Sequence, residues 1–261
     1  MIGFFDSGIG GLSVLSAFRK IAPNADIVYF GDTEHAPYGN KSAHTIAAYI
    51  AMALRRLKAE GATHIVSACN SASVPLLSIP IDLLRLNIFD VVEMVEPTVN
   101  ALAPLSKRIA LFGTQATIAS GMYQQAFKER GVVVDVIAIP ELAGLIEIGA
   151  PEEEIAPVVY KATAEAISAG AEILSLSCTH YPFVQHLFQK ALDSENSNAI
   201  LFNPADAVAL EVLRRFTDVG AGTTRFLISK ESPTFARHVE KLFGAHTIEI
   251  TPPIYHLLKD L

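Results

Sequence analysis

The chain is poor in cysteine, with two thiols, Cys69 and Cys178, among 261 residues. That count excludes a disulfide framework and points to reduced thiols. It is also poor in positive charge: 20 Lys and Arg stand against 27 Asp and Glu, for a formal charge of −7, and no basic stripe or tail occurs. Nucleic acid is therefore not expected as a partner. Long apolar runs are missing too. The longest, Ile46 to Leu54, is roughly half a membrane span and ends in Arg55-Arg56. The start, Met1-Ile2-Gly3-Phe4-Phe5-Asp6, has no basic n-region and meets an acid at once. It does not read as a signal peptide. No membrane partner is expected, and the reading is a soluble cytoplasmic protein.

What the chain does have is apolar content, 51% of residues, enough for a substantial core in one large domain or two moderate ones. Short apolar runs alternate with helical periodicity. Strands are predicted at Ile2 to Phe5, Asp26 to Phe30, Thr63 to Ala68, Phe89 to Val95, Arg108 to Phe112, Val132 to Ile139, Ala171 to Leu176, Ala199 to Phe202, Arg225 to Ser229 and Thr247 to Ile250. Among the helices between them, one is predicted to be capped by Ser42 and one to run unbroken from Gln115 to Arg130. Another is predicted to open at Pro182 and run from Phe183 to Ala191, and Asn203-Pro204 begins one more. Strands alternating with helices predict an α/β fold with mainly parallel sheets.

A weak internal repeat refines this. Ile2 to Ser7 matches Ile109 to Thr114, and Ile65 to Asn70 matches Leu174 to Thr179, offsets of 107 and 109 residues. One half reads as a copy of the other, with the two cysteines at equivalent places. The expected architecture is two pseudo-symmetric α/β domains, 1–95 plus 206–261 and 96–205. Strand C-termini then face a shared cleft, where open α/β folds bind ligands.

Both thiols follow strands. Cys69 leads into Asn70-Ser71-Ala72-Ser73, and Cys178 into Thr179-His180-Tyr181-Pro182. Two thiols approaching a ligand from opposite sides suit removal of a proton from carbon and its return to the other face. One begins deprotonated and the other protonated. Each has a candidate proton handler: Asp6 at the end of the first strand for Cys69, and His180, oriented by Glu147, for Cys178. Ser7, Asn70, Ser71 and Thr179 are candidates to hold a carboxylate, and the loop with Tyr38-Gly39 is a candidate functional loop.

Other readings weigh against this one. Gly8-x-Gly10 with Asp32 resembles a dinucleotide fingerprint, but Ser13 stands where its third glycine belongs. A metal site would need Cys69, Cys178 and His180, without a ligand pair of the usual spacing. Pyridoxal phosphate would need a Schiff-base lysine, and none stands out. A two-lobed binding module without catalysis would need no paired thiols.

The segments Phe5 to Leu12, Pro37-Tyr38-Gly39, Ala68 to Ser73 and Cys178 to Pro182 resemble, in order and spacing, the signature segments of cofactor-independent glutamate racemases in the aspartate/glutamate racemase superfamily. The resemblance implies that Cys69 acts on the D-enantiomer and Cys178 on the L-enantiomer. Asp6 would assist Cys69, and Glu147 and His180 would assist Cys178. It implies substrate contacts from Asp6, Ser7, Tyr38, Gly39, Asn70, Ser71, Thr179 and His180, and no metal or other cofactor. Glutamate would be the substrate and D-glutamate would feed peptidoglycan. Racemisation of aspartate or another amino acid is the alternative. A homodimer is one option for the assembly. The chain starts almost at the first motif, so activation by a cell-wall precursor is not expected. Departures from the pattern are Ser71 for threonine, Ser177 for glycine, and the lack of the usual glycine at Met94-Val95-Glu96-Pro97. The stretch Glu141 to Glu147 matches only at Leu145 to Glu147.

Overall fold

The computed structural model describes residues 1–78, 91–216 and 220–251. Elements follow in the order β1 (Ile2–Asp6), α1 (Leu12–Ile21), β2 (Ile27–Gly31), α2 (Ala43–Ala59), β3 (His64–Ser67), α3 (Asn70–Ser78), β4 (Val91–Val92) and α4 (Val95–Leu102). Then come β5 (Ile109–Gly113), α5 (Gln115–Ala119), α6 (Met122–Glu129), β6 (Val134–Ala138), α7 (Leu142–Ile148), α8 (Glu152–Ser168), β7 (Ile173–Leu176) and α9 (Gln185–Ser194). The chain continues through β8 (Ile200–Phe202), α10 (Pro204–Arg215), β9 (Thr224–Ile228), α11 (Pro233–Phe243) and β10 (Ile248–Ile250).

Among the described residues the strands form two sheets, ordered β10-β9-β2-β1-β3-β4 and β6-β5-β7-β8. Every pairing is parallel. The fold is α/β with two parallel sheets. The internal repeat appears as shared register. Ile2 pairs with Ile27 and His64, as Ile109 pairs with Val134 and Ile173.

Alternation along the strands explains why both sheets are buried on two faces. Phe4, Tyr29 and Val66 pack into one core with Phe112, Leu174 and Leu176 of the other sheet. Their neighbours Phe5, Val28 and Ile65 pack beneath α2 on the far side of the first sheet. Leu111 and Ile173 pack with Tyr123 and Phe127 on the far side of the second. The middle core belongs to both sheets, and α1 packs on α10 within it.

Caps fall where the residue types demand them. Ser42 Oγ accepts from Thr45 N–H at 3.2 Å, and Asn203 Oδ1 from Ala205 N–H at 3.1 Å. Three expectations change. The helix predicted from Gln115 to Arg130 is two, because Gly121 sits at φ +69°, a left-handed turn that ends α5 and opens α6. The strand predicted from Phe89 to Val95 is described only at Val91–Val92; Phe89 lies outside the described residues. Val95 already belongs to α4, whose first turn is held by the Glu93 carboxylate accepting from Val95 N–H at 2.6 Å and Glu96 N–H at 2.8 Å. Finally, Pro182 opens a four-residue 3-10 turn, Tyr181–Val184, and the α-helix starts only at Gln185.

Candidate active site

Loops at the carboxyl ends of both sheets converge on one narrow crevice, closed down to about 10 Å³ of free space, room for about one water. Its lining includes Cys69 from one sheet and Cys178 from the other.

Cys69 sits between β3 and the start of α3, 4% exposed, and its thiol donates to Ser7 Oγ at 3.8 Å. Burial pushes its pKa up, and the Asp6 carboxylate pushes in the same direction. The backbone N–H of Ala72 in α3 works against both. Cys69 is thus held as a neutral thiol, a proton donor.

Cys178 is set differently. Its Sγ lies 3.9 Å from His180 Nδ1, and His180 Nε2 lies 2.6 Å from Glu147 Oε2. The same carboxylate oxygen accepts from Ile9 N–H at 3.1 Å, so the turn after β1 fixes Glu147 as well. Burial disfavours a charged imidazole here, but Cys178 and Glu147 outweigh it and raise the His180 pKa well above 6.5. The charged imidazole so held lies directly beside Cys178 Sγ.

Asp6 lies between the two cysteine loops. Its Oδ1 accepts from Gly8 N–H at 2.8 Å and its Oδ2 from the Thr179 hydroxyl at 3.2 Å. Burial raises its pKa despite the opposing pull of His180 and the backbone N–H groups. β1 runs beside β3, with Phe5 opposite Ser67, which puts Asp6 next to the Cys69 loop.

The residues singled out in the sequence come together with a clear division. Ser7, Tyr38, Gly39, Cys69, Asn70, Ser71, Cys178, Thr179 and His180 line the crevice. Asp6 and Glu147 stand behind that lining, hydrogen-bonded to it. Tyr38 takes part without its hydroxyl, which donates to Asp32 Oδ2 at 2.6 Å. Asp32 also accepts from Ser229 Oγ at 2.7 Å and is 3% exposed, so it anchors the loop and offers nothing to a nucleotide ribose. The glycines of the turn at Gly8 to Gly11 also serve packing. A Cβ on Gly8 would run into the Glu147 carboxylate, and one on Gly10 into Thr179 and His180.

Pro37, Thr114 and Ala143 line the crevice as well and were not singled out. Thr114 was within reach of the repeat, since it is the counterpart of Ser7. Its hydroxyl meets Ser71 Oγ, from the Cys69 loop, at 2.9 Å and Thr117 Oγ1 of the adjoining α5 at 3.0 Å. Asn70 is 3% exposed; its Oδ1 accepts from the Tyr123 hydroxyl at 2.6 Å, and its Nδ2 has no hydrogen-bond partner among the described residues. No three His, Cys, Asp or Glu side chains gather as a metal cluster among the described residues, and no helix there is long and apolar enough to cross a membrane.

Two thiols from different parallel sheets, one beside a carboxylate and one beside an imidazole, face one crevice, and the chain belongs to the Asp/Glu/Hydantoin racemase family, which it matches over residues 13–212. It is an isomerase of the amino-acid racemase class. It is 36% identical over 255 residues to a glutamate racemase of Aquifex aeolicus, covering 97% of this chain and 96% of the other. Its fold superposes on the glutamate racemase of Aquifex pyrophilus with a TM-score of 0.80 at 34% identity, covering 95% and 97% of the two chains. The RacE1 isoform of glutamate racemase from Bacillus anthracis gives a TM-score of 0.82 at 26% identity, covering 97% and 96%.

Proposed function

We propose that this chain interconverts L- and D-glutamate without a cofactor, with Cys69 and Cys178 as the acid–base pair. The observation that supports this most is the placement of both thiols on one crevice, from different sheets. In the L-to-D direction the Cys178 thiolate takes the α-proton, and electron density moves into the α-carboxylate. The Cys69 thiol then returns a proton to the opposite face. The thiols exchange protonation states, and the reverse reaction uses them in the opposite roles.

Glu147 and His180 support the negative charge on Cys178, and Asp6, beside the Cys69 loop, keeps the Cys69 thiol protonated until it donates. Ser7, Asn70, Ser71, Thr179 and the Tyr38-Gly39 loop hold the carboxylates. The division into 1–95 plus 206–261 and 96–205 is supported by sheet membership, since β5 to β8 form one sheet and the remaining strands the other. The same reading makes the protein a cytoplasmic supplier of D-glutamate for peptidoglycan.

Incubation with either enantiomer in deuterated water tests it. Both enantiomers should appear, labelled at the α-carbon, and turnover on aspartate should be far slower. Cys69→Ser and Cys178→Ser should each abolish turnover and retain glutamate binding. Full activity in either variant would remove that cysteine from the mechanism.

A further inference from the structure

The buried hydroxyl of Tyr123 lies outside the crevice lining yet touches it through one residue. Tyr123 is on α6, 1% exposed, and its hydroxyl donates to Asn70 Oδ1 at 2.6 Å. The hydroxyls of Thr98 and Ser177 lie close to this phenol as well, and Ser177 Oγ meets Ser175 Oγ at 3.0 Å. Ser177 immediately precedes Cys178, and Asn70 immediately follows Cys69. The phenol is therefore bonded directly to the residue that follows Cys69, from a helix that packs on the second sheet.

An amide side chain can present either end to a ligand, because its oxygen and nitrogen are nearly the same size. A donor aimed at its oxygen decides between them. Asn70 Nδ2, buried without a partner among the described residues, is left as the end available to a ligand beside the crevice. We infer that Tyr123 is a positioning residue: its hydroxyl fixes the Asn70 amide so that Nδ2 is the donor presented to a substrate carboxylate. The inference rests on the racemase reading for the identity of that carboxylate, and on geometry alone for the amide.

Removing the phenol oxygen leaves the ring's packing in place and frees the amide to rotate. An amide that holds a carboxylate equally in ground and transition states affects KM rather than kcat. Tyr123→Phe should therefore raise KM for both enantiomers about tenfold, the scale of one hydrogen bond, with kcat within about twofold. In an Asn70→Ala background the same change should add nothing, because the two residues act as one unit. A loss of kcat without a change in KM, an additive effect in the double variant, or wild-type kinetics in Tyr123→Phe would each overturn the inference.

A second readout does not depend on glutamate. The Asn70 side-chain ¹⁵N–¹H₂ resonances, assigned by their loss in Asn70→Ala, should shift and exchange faster in Tyr123→Phe. Unchanged resonances would overturn the positioning role even with racemase activity intact. A wild-type chain inactive on glutamate, with those resonances shifted, would overturn the substrate reading and keep the positioning role.

Discussion

Cys69 and Cys178 carry the same sulfur into unlike surroundings, and that difference gives each its own proton partner. Cys69 faces burial and the Asp6 carboxylate; Cys178 faces a buried imidazole whose far nitrogen is 2.6 Å from Glu147. The Glu147–His180 pair is the part that can be tuned by one atom. Glu147→Gln keeps a side-chain acceptor but loses the negative charge that helps raise the His180 pKa. A charge-assisted hydrogen bond contributes about 1.5–3 kcal/mol, so kcat/KM should fall roughly 10- to 100-fold. The two enantiomers have equal energy, so kcat/KM must fall by the same factor in both directions. The sign of the pH effect on stability follows from the raised His180 value. The native state holds that proton more tightly than the unfolded chain, whose value is near 6.5. The resulting stabilisation is fully present below that pH and is lost as pH rises through the native value. In Glu147→Gln this loss should be smaller and complete at a lower pH, which urea titrations from pH 5 to 9 would show; identical profiles would argue against the pair. The thiols, His180 and the carboxylates that the crevice gathers stood out in the sequence because those side chains are chemically marked. Thr114 could have been drawn from the repeat as the counterpart of Ser7, but Tyr123 could not, because its phenol acquires a role only from Asn70, which the fold sets beside it.

Among the elements, the turn at Gly8 to Gly11 does the most positioning. The sequence marked it as glycine-rich, and glycine-rich turns most readily suggest phosphate. The fold uses it as a gap into which the other half of the molecule inserts Glu147, Thr179 and His180. That use could not be read from one segment, because the inserted residues lie more than a hundred positions away. The same limit explains the helix after Cys178. Pro182 was a sound start signal, but the first turn is 3-10, so the α-helix begins seven residues past the thiol, at Gln185. His180 and Glu147, rather than that helix, supply the local field. Gly10→Ala tests the turn. A Cβ there would lie 2.7 Å from His180 Nδ1, closer than carbon and nitrogen can approach. Overpacking of this kind costs about 1–3 kcal/mol. A misplacement of about 1 Å at a catalytic group costs on the order of 10²-fold in rate. Gly144→Ala in α7 is the control, since a Cβ there meets nothing within 4 Å. It should leave activity unchanged and stabilise by up to about 1 kcal/mol. Equal activities in the two variants would remove the steric argument.

For the molecule as a whole, the question is how two sheets keep two sulfurs in register across a crevice. The repeat made the doubling visible, but not the shared middle core, because alternation along a strand does not say which neighbour each face meets. That core joins Ile2 and Phe4 of the first sheet to Phe112, Leu174 and Phe188 on the side of the second. Phe188 in α9 is wholly buried, its ring 5.4 Å from Phe112 and 6.1 Å from Tyr181, the residue after His180. A core continuous across both sheets predicts that they unfold together. Phe188→Ala should cost about 3–5 kcal/mol, and the loss should register equally in both halves. Native-state hydrogen exchange measures this directly: amides of β2, in the sheet that lacks Phe188, should lose as much protection as those of β5. If β2 kept its wild-type protection while β5 lost it, the halves would be separate folding units, and the alignment of the thiols would have to rest on the loop contacts alone. Those contacts are a few polar bonds, among them Ser71 with Thr114, Thr179 with Asp6, Tyr123 with Asn70 and Ile9 N–H with Glu147. Each contributes about 0.5–3 kcal/mol, and none fills the space between the sheets as the shared core does, in a site where a displacement of about 1 Å is costly.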